Sequence, residues 1–104
     1  SIAINADLKY VDVHRKELKA KYPSFNAFYK KYEVPEELID EIISEGKKQK
    51  VVPKDEAELD RTLPYLKMQL KALIARDLWD MSQYYQIINE SDDTVKKALE
   101  ILEK

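Results

Sequence analysis

Few side chains in this sequence are able to do covalent or metal chemistry. Histidine occurs once, as His14. A histidine base needs a nucleophile or an orienting carboxylate beside it, and no motif around His14 supplies one. His14 reads as a surface or packing residue. Cysteine is absent, which removes disulfides, thiolate metal sites and cysteine nucleophiles. Only carboxylates are left as further metal ligands, and they follow no calcium-loop spacing, so no metal-ligating residue is assigned. Ser44 precedes Lys47 and Lys48 at the spacing that brings side chains together on a helix, and serine–lysine dyads exist. A catalytic lysine must lose its proton in a desolvated site, whereas Gly46-Lys47-Lys48-Gln49-Lys50 is a run suited to water. The chain carries no complete active site of its own. No catalytic or cofactor-binding residue is assigned, and no cofactor is expected.

Seven tyrosines and Trp79 are the one unusual feature of the composition. Such rings fill a small core efficiently, and their polar tips also suit protein interfaces. Both readings stand. Tyr29, Tyr32, Tyr84 and Tyr85 are expected to remain accessible, because they fall in short helices with little neighbouring structure. Met68 and Met81 read as gap fillers.

The elements that would carry these residues are helical. One glycine and four prolines are too few for the repeated turns of a β-sandwich. Asn5 or Asp7 can cap a first helix ending near Lys21, with Leu8, Val11, Arg15 and Leu18 on one face and its aliphatic members in the core. Pro23 breaks the path, and Ser24 caps a short helix bearing Phe25, Phe28, Tyr29 and Tyr32, an aromatic cluster suited to packing between longer helices. Pro35, with Glu36 and Glu37 in the first turn, opens a third helix whose buried stripe is Leu38, Ile39, Ile42 and Ile43 and which frays near Gly46. Val51-Val52-Pro53 reads as an extended link. Asp55 with Glu58 matches a capping box and starts a central helix. Its seam is Leu59, Leu63, Leu66, Leu70, Leu73 and Ile74, reaching Leu78 and Trp79. Pro64 predicts a kink or a restart in it. Asp80 or Ser82 caps a short segment with Tyr84, Tyr85, Ile87 and Ile88. Ser91-Asp92-Asp93 opens a last helix bearing Val95, Leu99 and Leu102. The fold class is all-α, a compact bundle of about five to seven helices around one long central helix.

Composition narrows the partners. Residues 1–104 read as a single helical domain, since two cores would each be too small to fold unaided. Apolar residues make up 44% and charged residues 37%, too much charge for a membrane span. Eighteen basic residues stand against 20 acidic ones, with a pI near 5.5, so there is no basic field for nucleic acid. The opening Ser1-Ile2-Ala3 has neither a Met nor a basic, apolar signal segment, and a fragment of a longer protein is expected.

Three stretches carry a resemblance: Tyr10 to Leu18 (YVDVHRKEL), Leu66 to Trp79 (LKMQLKALIARDLW) and Tyr84 to Leu102 (YYQIINESDDTVKKALEIL). They resemble the C-terminal helical region of the carboxyl-terminal processing, or tail-specific, S41 serine peptidases of Gram-negative bacteria. The likeness spans nearly the whole chain through helix-pattern segments rather than catalytic motifs. It implies a parent enzyme with a PDZ domain that grips substrate C-termini and a Ser-Lys pair that cleaves peptide bonds in the periplasm or cell envelope. That pair lies upstream of this region in the family, and no position here matches its motif. The expected role is a non-catalytic accessory module whose partners are the protease and PDZ domains of the same chain, with self-association or contact with a protein substrate as further options. A free-standing helical interaction domain unrelated to proteolysis is the alternative.

Overall fold

The computed structural model of the chain describes residues 2–50 and 54–90. Five α-helices form among them: α1 (Ile2–Lys21), α2 (Phe25–Lys31), α3 (Glu36–Lys48), α4 (Glu56–Leu78) and α5 (Met81–Asn89). Three of their starts are built by side chains that accept from backbone N–H groups left over at a helix N-terminus. The N–H of Ala27 donates to Ser24 Oγ at 3.2 Å, that of Glu58 to Asp55 Oδ1 at 2.8 Å, and that of Ser82 to Asp80 Oδ1 at 2.8 Å. Gln83 completes a capping box by accepting from the Asp80 N–H at 3.2 Å. Glu58 reaches one residue further back than expected and accepts from Lys54 N–H at 3.1 Å. Pro35 is the N-cap of α3, one position before the first helical residue, with Glu36 and Glu37 in the first turn as expected.

The fold is organised by α4, which packs against both α1 and α5, while α1 also packs on α3. Leu70, Ala72, Ile74 and Ala75 of α4 are fully buried, with Leu73 and Leu78 nearly so. Leu59, Leu63 and Leu66, on the first half of the seam, are half-buried. The helix runs through Pro64 without a restart, although the ring removes the bond to the Asp60 carbonyl. The aromatic residues of α2 wedge against this frame. Phe28 has no exposed surface, stacks on Tyr32 at 4.6 Å, and meets the edges of Tyr22 and Trp79 at 5.8 and 5.5 Å.

Several expectations are corrected. Neither Asn5 nor Asp7 caps α1, which begins at Ile2; Asp7 lies inside the helix and is fully buried. The buried face of α1 is Ala3, Ala6, Asp7, Val11 and Leu18, so Leu8 points about 100° away from Asp7 and is 47% exposed. Gly46 is buried within α3 rather than ending it, and Lys50 takes the left-handed backbone, at φ 60°, just beyond the helix. The link at 51–53 and the helix expected over 91–102 lie outside the described residues.

Candidate functional site

Two features stand out from an ordinary helical core: an open cleft and a buried carboxylate pair.

The cleft, of about 490 Å³, lies where α2, α4 and α5 meet. Tyr32, Val34, Pro64, Met68 and Ile87 give it apolar walls, and Glu33, Glu36, Lys67, Lys71, Tyr29 and Glu90 give it polar ones. Its volume is that of a site able to hold a small molecule or a few side chains. Lys71 is altered by its place there. Partial burial lowers its pKa against the opposing pull of Glu33. Its Nζ donates to the Tyr29 carbonyl at 2.7 Å and lies 5.5 and 5.9 Å from the centres of the Tyr29 and Phe28 rings. On the rim, Lys67 pairs with Glu36 at 3.3 Å. The Tyr29 hydroxyl donates to Glu90, a bond that raises the tyrosine's pKa. The Tyr32 hydroxyl donates to Tyr10 at 3.2 Å. Burial first, then this bond, hold Tyr32 above the ordinary phenol range.

The carboxylate pair joins α1 to α4. Both oxygens of Asp7, and Oδ2 of Asp77, are buried with no hydrogen-bond partner in place. Arg76 donates through Nε to Asp77 Oδ1 at 3.1 Å, but its nearest approach to Asp7 is 3.7 Å. Two ionised carboxylates can only accept, so the pair is satisfied when one carries a proton. Desolvation, the hydrogen bond to Asp77 and the charge of Asp77 push Asp7 up to about 9, with Arg76 opposing. Asp7 is therefore the protonated member at neutral pH. Asp7 has no exposed surface, which suits a role in setting α1 against α4 rather than one in chemistry.

The sequence candidates are not brought together. His14 lies 3.4 Å from Glu17 and packs its ring on Tyr10 at 4.6 Å. Ser44 and Lys47 are exposed, and Lys48 pairs with Glu45 at 3.4 Å. Among the described residues no three His, Asp or Glu side chains converge as a metal site would require. The tyrosines divide between the two readings. Tyr22 and Tyr32 are core, Tyr10, Tyr29, Tyr65 and Tyr84 are half-buried, and Tyr85 is exposed. The expectation that Tyr32 stays accessible is overturned, because its ring fills the space between Phe28 and Tyr22. Lys71 and Asp7 are the residues sequence reasoning misses, since each is defined by partners on another helix.

Fold and site together define a small all-α domain built on one long helix, with a buried acid pair locking its first helix in place. The chain belongs to a family of unknown function, DUF8443, which matches residues 1–80 and so takes in α1 through α4 and the cap of α5. Comparison with curated proteins and with solved structures finds no match. No helix among the described residues is long and apolar enough to cross a membrane.

Proposed function

We propose that this domain is the non-catalytic C-terminal helical module of a tail-specific, carboxyl-terminal processing S41 serine peptidase of the periplasm or cell envelope, packing on or assisting the protease body. The observation that carries the reading is the outer surface of α5. Met81 and Tyr85 there are 42% and 53% exposed, and Tyr84 is set edge-on to Tyr85 at 5.4 Å. A flexible thioether beside a pair of rings with polar tips suits a surface that another protein covers. The three resembling stretches support the same reading: the first two fall on α1 and α4, and the third begins on α5 and continues outside the described residues.

Hydrogen exchange in this chain and in the longer protein that contains it tests the reading. Docking on a protease body slows exchange over 81–89 in the longer protein. Equal protection in both, or a reading frame that carries no PDZ or peptidase sequence upstream, transfers the surface to an outside partner and makes the domain a free-standing interaction module. Cleavage of unstructured polypeptides by the purified domain, abolished by Ser44→Ala, would overturn the non-catalytic assignment.

A further inference from the structure

A lysine becomes a nucleophile only when its amine can give up a proton, which takes partial burial and a partner that binds the proton less firmly than a carboxylate. Lys71 meets both conditions. It is half-buried in the wall of the cleft, and the 2.7 Å bond from its Nζ ends on a neutral group, the Tyr29 carbonyl. Desolvation lowers its pKa, with Glu33 opposing. The same surroundings hold a positive charge once it is on the nitrogen, since the Tyr29 and Phe28 rings lie 5.5 and 5.9 Å from Nζ. A covalent product that keeps the charge and one N–H keeps both the carbonyl and the rings as partners. An iminium is such a product, whereas the amide left by an acyl donor is uncharged.

We propose that Lys71 forms a reversible Schiff base with a neutral, apolar aldehyde or ketone seated in the cleft. The unprotonated amine attacks the carbonyl carbon, the C–N bond forms, and the carbonyl oxygen leaves as water. An ammonium and a carbonyl compound thus give an iminium and water, with charge conserved and neither oxidant nor reductant consumed. The apolar body of the ligand lies on Val34, Met68 and Ile87, in a space of about 490 Å³ that suits a small molecule. The charges of the lining select against an acidic ligand. Glu33, Glu36 and Glu90 outnumber Lys67 and Lys71, and Lys67 is already paired with Glu36 at 3.3 Å. The site is separate from the surface assigned to docking, because Met81, Tyr84 and Tyr85 do not line the cleft.

Reductive trapping on the folded chain tests the proposal. Benzaldehyde with sodium cyanoborohydride turns each iminium into a stable benzylamine, which peptide mass spectrometry locates lysine by lysine. Lys71 is expected to be labelled several-fold faster than the exposed Lys9 and Lys16, and to lose that preference in urea. With 4-carboxybenzaldehyde, which adds a negative charge to the same reactive group, the preference for Lys71 over Lys9 and Lys16 should fall several-fold. Lys71→Arg keeps a cationic donor for the Tyr29 carbonyl and should leave only the slow labelling of the other lysines. Equal labelling of Lys71, Lys9 and Lys16 in the folded chain, or a preference for Lys71 that survives in urea, would overturn the Schiff-base site. An equal preference with both aldehydes would overturn the assignment of a neutral ligand.

Discussion

Asp7→Asn is the substitution that bears most directly on the buried pair. Asp7 keeps its proton in the folded chain up to about pH 9, whereas in the unfolded chain it ionises with its ordinary value of 3.8. Between those values the unfolded chain has lost a proton that the folded chain still binds, so stability falls as pH rises, by about 1.4 kcal/mol per pH unit for a single group. From 3.8 to pH 7 is roughly three pH units, which places the cost on the order of 4 kcal/mol at neutral pH. Against the 5–15 kcal/mol typical of a small domain this is a large fraction. Asparagine carries no proton to lose, and its amide offers a donor to the Asp77 carboxylate in place of the protonated carboxyl. Urea unfolding followed by far-ultraviolet circular dichroism at pH 5 to 9 would measure the effect. The expected result is a free energy of unfolding that declines with pH for the unsubstituted chain and a shallower profile for Asp7→Asn, which is the more stable of the two at pH 7. The opposite result, a variant less stable at pH 7 in a chain whose own stability rises from pH 5 to 8, would mean that Asp7 is ionised and held by Arg76, and the shared-proton account would be wrong.

Other expectations follow from single contacts. Leu70→Ala empties a fully buried position on α4 and should cost about 2–5 kcal/mol by the same urea assay; an unchanged midpoint would place the seam outside the core. Pro64→Ala restores a backbone donor toward the Asp60 carbonyl inside α4 and should stabilise by roughly 1–3 kcal/mol, a gain detectable as a higher thermal midpoint. Asp80→Ala removes the acceptor that starts α5 and should cost about 1 kcal/mol, with hydrogen exchange accelerating first over 81–84.

What is legible in the sequence is what is decided locally. Ser24, Asp55 and Asp80 announce their helices because an N-cap needs only its own next few residues, and the seam from Leu70 to Leu78 is dense enough that its periodicity survives folding. The phase of α1 is not legible for the same reason. Its apolar residues are sparse, Leu8 and Val13 fall on the exposed side, and the true contact face contains an aspartate. Side-chain type argues for the surface, and the partners that reverse the argument, Arg76 and Asp77, stand about 70 positions along the chain. The cleft is invisible for a related reason, because its walls come from four helices and a connecting segment. Lys71 in isolation reads as one more solvated cation on α4. Gly46 misleads in the other direction: a residue that usually ends helices is kept inside one that continues to Lys48.

The bond from Lys71 to the Tyr29 carbonyl has a bearing on how the molecule assembles. A seven-residue helix has too few internal bonds to persist alone in water. Tyr29 supplies one of the carbonyls in the last turn of α2 that no residue of α2 can satisfy. The donor that completes it belongs to α4, 42 positions later in the chain, and arrives with a positive charge at the negative end of the α2 dipole. The second helix therefore gains its terminus only when the fourth is in place. During folding α2 should consolidate together with, and not ahead of, the docking of α4. In the native state its amides should open in step with that contact, joining the two into one cooperative unit despite their distance in sequence.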